Sequence, residues 1–182
     1  MKPDWPLETE RLVLRPFEQG DLDALHRMHS DEEVVRYLYN DARTLDESRA
    51  LLGRKIAGVQ LGAEGDWMSA AITELGSGRV VGDVALHWVS EPHKTGEIGF
   101  ILDPAEQGRG YATEAARAFL RVAFEDFGFH RVIGRTEARN APSARVLEKL
   151  GMRREALLVE NEWVKGEWQS ELVYAMLEHE WR

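Results

Sequence analysis

The 182-residue sequence contains no cysteine. This absence excludes a disulfide framework, a thiolate nucleophile and a zinc site built on cysteine, and it fits the reducing cytoplasm. No apolar run approaches the roughly 18 residues that a membrane-spanning helix needs, and the first residues lack the apolar core of a signal peptide. We therefore expect a cytoplasmic protein with no membrane partner.

Basic side chains are in the minority, with 23 lysines and arginines against 32 aspartates and glutamates and a net charge of −9. A field of this sign repels phosphate backbones, so we expect no nucleic-acid partner, and it favours a positively charged acceptor. The alternative is that the acidity serves only solubility, because net charge says little about a particular site. The 43% of apolar residues is enough for a buried core in one domain, 1–182.

The periodicity of the apolar residues predicts an α/β fold. Segments with period two predict strands at 9–17, 66–73, 79–89, 96–102, 131–137, 152–160 and 168–177. Apolar residues at helical spacing predict helices at 20–30, 31–39, 45–59, 108–127 and 142–150. We therefore expect a mixed sheet of about six or seven strands with helices on its faces.

The strand at 96–102 leads into a helix through a glycine-rich turn, Gln107-Gly108-Arg109-Gly110-Tyr111-Ala112-Thr113. Missing side chains let main-chain N–H groups reach a ligand, and the helix N-terminus adds positive charge, which suits a pyrophosphate. A dinucleotide fingerprint would need a small residue at Thr113, and the GxxxxGK[ST] pattern of a P-loop is absent. The remaining alternative is a glycine-rich turn before an ordinary amphipathic helix.

Several ordered segments resemble the GNAT superfamily of N-acetyltransferases. Residues 107–112 (QGRGYA) are similar to the Q/R-x-x-G-x-G/A loop that binds coenzyme A in that superfamily. Residues 9–15, 97–100, 140–143 and 147–152 (TERLVLR, EIGF, NAPS and LEKLGM) resemble the RimJ/RimL-like branch, which includes enzymes that acetylate the N-termini of ribosomal proteins. Residues 166–174 also resemble this branch. The similarity covers residues 7–182, and the similar segments follow one another in the same order as in the family.

The resemblance implies acetyl-CoA as co-substrate, with no metal, on a twisted sheet whose central strands at 96–102 and 131–137 splay apart. The pantetheine arm would lie in this gap and pair with the first strand, the pyrophosphate would meet the N–H groups of the loop, and Asn140 would bind the pantetheine end or the thioester. The implied coenzyme-binding residues are Phe100, Ile101, Leu102, Gln107, Gly108, Arg109, Gly110, Tyr111, Ala112, Thr113, Asn140 and Ser143.

Acetyl transfer to an amine requires a neutral nitrogen, donors for the oxyanion and a proton for the departing thiolate. Glu97 is the candidate base, directly or through water, and the alternative is a solvated or ion-paired strand glutamate. The backbone N–H near Phe100 or Ile101 is the expected oxyanion donor. Many superfamily members carry a tyrosine acid where this sequence has Leu147. The RimJ/RimL-like pattern indicates Ser143 as the substitute acid, and its alternative role is to cap the helix at 142–150.

The acceptor is expected beneath the helices that precede the sheet, since these cover the acceptor site in relatives. The candidate wall residues are Tyr37, Tyr39, Trp67 and Trp88. The candidate counter-charges for a cationic acceptor are Asp66, Glu160 and Glu162. For the two tryptophans the alternative is packing in the core.

His26 and His29 lie three residues apart on one predicted helix face, a spacing that could bind a metal. Because no third ligand has an obvious place, we expect solvent-exposed histidines and no metal. The expected acceptor is an amine-bearing small molecule or a protein N-terminus, and a homodimer is suggested only by analogy with relatives. The alternative function is a non-catalytic acetyl-CoA-sensing or protein-interaction module on the same fold.

Overall fold

The computed structural model describes residues 1–181. The strands are β1 (Leu7–Glu8), β2 (Leu12–Arg15), β3 (Trp67–Glu74), β4 (Val80–Ser90), β5 (Thr95–Leu102), β6 (Arg131–Glu137), β7 (Arg153–Val164) and β8 (Glu167–Leu177). The α-helices are α1 (Leu22–His29), α2 (Glu32–Val35), α3 (Leu45–Ala57), α4 (Tyr111–Arg121) and α5 (Ala141–Lys149). Within residues 1–181, no helix has the length and apolar content needed to cross a membrane.

The eight strands of the described chain form one sheet in the order β1-β2-β3-β4-β5-β6-β8-β7. Neighbouring strands pair antiparallel except β5 and β6, which pair parallel, so the sheet is mixed as predicted. The expected count of six or seven strands is corrected to eight by β1, which pairs Leu7 with Leu14 of β2. A strand of only two residues is too short to show an alternating pattern in the sequence, so β1 was not predicted.

The core lies on both faces of the sheet, which explains the continuous buried run in β3. On one face, Ile72 belongs to a large apolar cluster that includes Phe119 of α4. On the other face, Ala71 belongs to a smaller cluster with Leu25 of α1 and Leu52 of α3. Because successive residues of β3 are buried on opposite faces, its apolar pattern does not alternate.

α4 begins three residues later than expected, at Tyr111. Gly108 and Gly110 adopt left-handed backbone angles, with φ of +78° and +86°. A residue with positive φ cannot continue a right-handed helix, so these glycines form a turn before it. Residues 103–110 connect the end of β5 to the first N–H groups of α4.

Two segments near the central strands also differ from expectation. α2 ends at Val35, and residues 36–40 form turns and bends rather than the end of a helix. β7 extends to Val164, four residues beyond the expected end, because Lys165 and Gly166 close the hairpin with φ of 51° and 82°. A two-residue turn with positive φ matches the twist of the flanking strands. Both segments border the site described next.

Candidate active site

β5 and β6 form a wedge at the centre of the sheet. Within the described chain they pair at three positions, the last of which places Glu97 opposite Ile133. β5 then continues to Leu102 alongside β4, and β6 continues to Glu137 alongside β8. The facing edges therefore separate from Ile98 onward, which confirms the predicted splay. Backbone N–H and C=O groups on these edges are left without a strand partner.

A cavity of about 380 Å³ lies at this wedge. Its wall combines β5, β6, the start of α5, the turns after α2 and the β7–β8 hairpin, so segments far apart in the sequence meet here. Many of the residues predicted for the site line it. They are Tyr37, Tyr39, Trp67, Glu97, Phe100, Ile101, Asn140, Ser143 and Glu162.

Asn140 and Ser143 lie at the start of α5. The Asn140 side chain accepts a hydrogen bond from the Ser143 backbone N–H at 3.2 Å and is the N-cap of the helix. Asn140, and not Ser143, therefore caps α5. Ser143 lines the cavity, and its hydroxyl has no hydrogen-bond partner among residues 1–181. Leu147 is buried beside Gly134, where an added Cβ would lie 2.6 Å from the Leu147 Cδ2.

Glu97 lines the cavity from β5 and is held by Arg135 of β6. Arg135 donates from Nε and from Nη2 to the two carboxylate oxygens, each at 3.0 Å. These hydrogen bonds raise the pKa of Arg135 above its ordinary value, so the guanidinium stays charged. Two-point pairs of this kind are among the stronger charge-assisted hydrogen bonds. The Glu97 carboxylate is thus already engaged with a cation.

Glu162 of β7 and Glu171 of β8 face the same cavity. The Tyr39 hydroxyl donates to Glu162 at 2.6 Å. Glu171 is only 6% exposed and lies 3.9 Å from Arg135 Nη1. Burial raises the pKa of Glu171 above its ordinary value, Arg135 offsets part of the rise, and the charges of Glu162 and Glu97 add to it. Of Glu97 and Glu171, the first is therefore firmly paired with Arg135, and the second takes up a proton more readily.

A buried ionic cluster forms another part of the wall. Lys55 Nζ lies 3.0 Å from Asp83 Oδ2, and His29 Nε2 lies 3.6 Å from the same oxygen. Burial alone would raise the pKa of Asp83, but Lys55 and His29 reverse the effect and hold it below its ordinary value. The expectation that His29 is exposed is wrong, because α1 turns it toward this carboxylate and leaves it 4% exposed. His26 is partly buried, with Nδ1 3.0 Å from Ser48 Oγ.

The predicted coenzyme loop connects β5 to α4. Gly110 is the N-cap of α4 and makes no side-chain cap within the described chain, so the N–H groups of Tyr111, Ala112 and Thr113 lack intrahelical acceptors. These donors and the positive end of the helix dipole fit a diphosphate. The loop and Leu102 do not line the described cavity. They lie beyond it, at the C-terminal end of β5.

Arg109, which was expected to add charge to this loop, is paired with acidic side chains. Its Nη1 lies 2.6 Å from Glu106, and its Nη2 lies 3.6 Å from Glu74. The guanidinium of Arg109 stacks 4.8 Å from the centroid of the Tyr111 ring, and that of Arg11 lies 4.9 Å from it. Arg11 also donates to the Arg109 carbonyl at 2.9 Å. Two arginines therefore lie at the loop, namely Arg109 within it and Arg11, which the sequence analysis did not predict there.

Trp88, Asp66 and Glu160 are not brought to the cavity. Trp88 pairs with Gly96 at the closed end of the wedge and packs against Phe129, with ring centroids 6.0 Å apart, which is the core-packing alternative. Asp66 accepts hydrogen bonds at 2.7 and 3.0 Å from the backbone of the loop before β3. Glu160 is exposed beside the irregular register of β7.

Sequence reasoning missed five charged residues of the cavity wall, namely Lys55, Asp83, Arg135, Glu137 and Glu171. Asp83 carried a usable signal, because it is the single charge within the apolar segment 80–86 and a charge in a buried strand needs a partner. Lys55 and Glu171 had no comparable signal, since both stand near other charged residues in the sequence.

Residues 11–153 match the family described as acetyltransferase (GNAT) domain. The uncharacterized N-acetyltransferase YnaD of Bacillus subtilis is 31% identical over 175 residues, which cover 96% of this chain and 98% of that protein. A spermidine N(1)-acetyltransferase of Vibrio cholerae is 24% identical over 162 residues, covering 88% and 90%. The crystal structure of a GNAT-family acetyltransferase from Bacillus anthracis matches with a TM-score of 0.85 and 33% identity, covering 96% of this chain and 99% of that one.

The family match includes both strands of the wedge, the loop before α4 and the start of α5. The relatives extend the similarity over nearly the whole chain, including the hairpin that completes the cavity wall. The chain therefore belongs to the GNAT family and is an acetyl-CoA-dependent N-acetyltransferase.

Proposed function

We propose that the protein transfers the acetyl group of acetyl-CoA to the primary amine of a positively charged acceptor, by direct attack in a ternary complex. The observation that carries this proposal is the charge of the cavity wall. Among the described side chains that line the cavity, carboxylates outnumber cations. They are Asp83, Glu97, Glu137, Glu162 and Glu171, against Lys55 and Arg135. An excess of negative charge in a partly enclosed space attracts an ammonium group and repels anions.

The residues that would hold the coenzyme come from three places around the wedge. They are the loop at 107–113 with the first N–H groups of α4, the free edge of β5 at 100–102, and Asn140. The unpaired donors at the start of α4 and the similarity of the loop to the family pattern support this assignment. The bound thioester supplies the activated acetyl group.

The acceptor arrives as an ammonium ion and must lose a proton before it attacks. At pH 7 this costs about 1.4 kcal/mol for an amine with a pKa of about 8, and about 4.6 kcal/mol for one with a pKa of about 10.4. In this proposal a carboxylate of the cavity acts as base, and its contribution is larger for the more basic amine. Backbone N–H groups at Phe100 or Ile101 would bind the oxyanion, and the Ser143 hydroxyl would give a proton to the departing sulfur.

The enclosure of the cavity favours a small amine over a protein N-terminus. The turns after α2 are joined to the β7–β8 hairpin by the hydrogen bond from Tyr39 to Glu162. A second bond joins the same segments, because Lys165 Nζ donates to the Val35 carbonyl at 2.6 Å. A protein terminus would have to pass beside these two contacts, whereas a small cation needs less space.

Polyamines are the small cations that fit this wall best, because several positive charges can face several carboxylates. The Vibrio cholerae relative is named a spermidine acetyltransferase, which supports this class. A protein N-terminus is the second candidate acceptor, supported by the resemblance of residues 140–143 and 147–152 to the RimJ/RimL-like branch.

Thiol release from acetyl-CoA, measured with a panel of amines, tests the proposal. We expect turnover with spermidine, a lower kcat/KM with butylamine, which has one charge only, and no turnover with an amine that carries carboxylates. Turnover confined to peptides with free N-termini would select the second class of acceptor. Absence of thiol release with every amine would overturn the proposed function.

A further inference from the structure

Glu171 is a buried carboxylate in the cavity that sequence reasoning did not select. It lies on β8 and is 6% exposed. Its cross-strand neighbours are Glu137 of β6 and Leu158 of β7, so it sits between two strands rather than at an edge. It lines the same cavity as Ser143.

The cations around this cavity are already bound to other carboxylates. Arg135 places Nε and Nη2 on Glu97 at 3.0 Å and leaves Nη1 at 3.9 Å from Glu171, beyond hydrogen-bond distance. In the same way, Lys55 lies 3.0 Å from Asp83. Glu137 is bonded by Arg139 at 2.8 Å, and Glu162 is only partly buried and accepts a hydrogen bond from Tyr39. Within the described chain, Glu171 is therefore the buried cavity carboxylate that accepts no hydrogen bond from a cation, with Arg135 Nη1 3.9 Å away.

The charged and titratable groups that face Glu171 come from every neighbouring element. They are Tyr39 from the turns after α2, Glu97 from β5, Arg135 and Glu137 from β6, and Glu162 from β7. Burial raises the pKa of Glu171, and Arg135 and Tyr39 offset only part of the effect while Glu162 and Glu97 increase it. When one carboxylate of a site is held ionised and another is pushed toward its protonated form, the second suits proton transfer near neutral pH.

We propose that Glu171 is the catalytic base, which accepts the proton that the acceptor ammonium loses before attack. This inference rests on the proposed function and names the proton acceptor in it. The nitrogen loses two protons overall as the C–N bond forms and the C–S bond breaks. The first passes to Glu171 and then to water, and the second ends on the coenzyme's sulfur.

Glu97 takes a positioning role in this scheme. Its two hydrogen bonds fix Arg135, and they keep that cation from forming a close pair with Glu171. Loss of Glu97 would free Arg135 to bind Glu171 directly and so lower its basicity. Because Arg135 forms its hydrogen bonds with Glu97, Glu171 is the carboxylate that is left to accept a proton.

The test compares Glu171→Gln with the wild-type protein across pH, using spermidine as acceptor. We expect the variant to lose roughly 10²- to 10⁴-fold in kcat/KM at pH 7 and to lose the limb of the pH profile that reports this base. Semicarbazide, an amine that is neutral at pH 7, needs no deprotonation before attack and gives its one proton to the departing sulfur, so its rate should fall by less than about tenfold. Glu178→Gln is the matched control, since its side chain is 61% exposed after β8 and should leave both rates unchanged.

Equal losses with spermidine and with semicarbazide would show a structural role and overturn the inference, as would an unchanged pH profile. Should Glu171→Gln fail to fold, Glu171→Asp provides the second measurement, with the pH limb retained and kcat reduced. A Glu171→Asp variant that keeps the full wild-type kcat would also count against the base. A wild-type protein that releases no thiol with any amine would overturn the proposed function itself, and this assignment with it.

Discussion

Glu97 and Arg135 form an ion pair between β5 and β6 at the point where the backbone pairing of these strands stops. Glu97 is the last residue of β5 that pairs with β6, and Arg135 lies two residues beyond its partner Ile133. Both carboxylate oxygens accept hydrogen bonds from the guanidinium. Side chains therefore hold the strands together at the apex of the wedge, where main-chain hydrogen bonds end.

This ion pair should contribute measurably to stability. A double-mutant cycle of Glu97→Gln and Arg135→Gln is expected to give a coupling of about 1 kcal/mol in the free energy of unfolding, since the pair is partly exposed. Urea denaturation measures it. The exposed pair Asp46–Arg49 on α3 is the control, with an expected coupling below about 0.5 kcal/mol. A coupling at Glu97–Arg135 no larger than in the control would contradict the apex role.

Ser143→Ala tests the proton donor to sulfur. We expect kcat to fall roughly 10- to 1,000-fold with little change in acetyl-CoA affinity. The melting temperature should stay near the wild-type value, because Asn140 and not Ser143 caps α5. Steady-state kinetics and calorimetric titration of acetyl-CoA measure these quantities. An unchanged kcat would remove Ser143 from the mechanism.

Gly110→Ala tests whether the loop before α4 binds the diphosphate of the coenzyme. With φ at +86°, an alanine here costs about 1–2 kcal/mol of backbone strain and shifts the first N–H groups of α4. We expect the Kd of acetyl-CoA to rise roughly tenfold. Gly76→Ala is the control, because its φ is +92° and an added Cβ meets nothing within 4 Å. Similar affinity losses in both variants would show a general effect of strain.

Glu162→Gln tests whether the negative charge of Glu162 contributes to binding of a cationic acceptor. For spermidine we expect KM to rise about fivefold, equivalent to about 1 kcal/mol, with kcat nearly unchanged. Glu160→Gln is the control, since this glutamate is exposed on the same strand and does not line the cavity. If spermidine KM is the same in Glu162→Gln as in the control, Glu162 has no share in acceptor binding.

Glu155 should make the stability of the fold depend on pH in the acid range. Hydrogen bonds from Arg131 and Arg153 lower the pKa of Glu155 to about 2, against about 4.3 in an unfolded chain. Because the folded pKa is depressed, the stabilisation is complete above the unfolded value and is lost as pH falls toward 2. Glu155→Gln should therefore flatten the decline of Tm between about pH 4.5 and 2. A decline identical to that of the wild-type protein would contradict the ion-pair network.

Local features made a large part of the fold predictable. The glycine-rich turn, the helix start at Asn140 and the period-two strands depend on neighbours within a few residues. The turn and the helix start lie where expected, and each predicted strand is present, although the bounds of some strands differ. The extent of the hairpin was missed because its turn, Lys165–Gly166, places a lysine at positive φ. Lysine carries no strong turn signal, so composition alone did not mark the end of β7.

The sequence by itself determined the family, the order of elements and the glycine-rich turn before α4, because periodicity and glycine conformations act over short distances. Only the tertiary structure decided that Arg135 forms its hydrogen bonds with Glu97 and not with Glu171. Glu97 and Arg135 are 38 residues apart and meet through the register of two parallel strands. Glu171 lies beyond hydrogen-bond reach of that arginine, and its burial depends on strands from both sides. Proton affinity follows from burial and from distances between charges, and both arise only once the chain has folded.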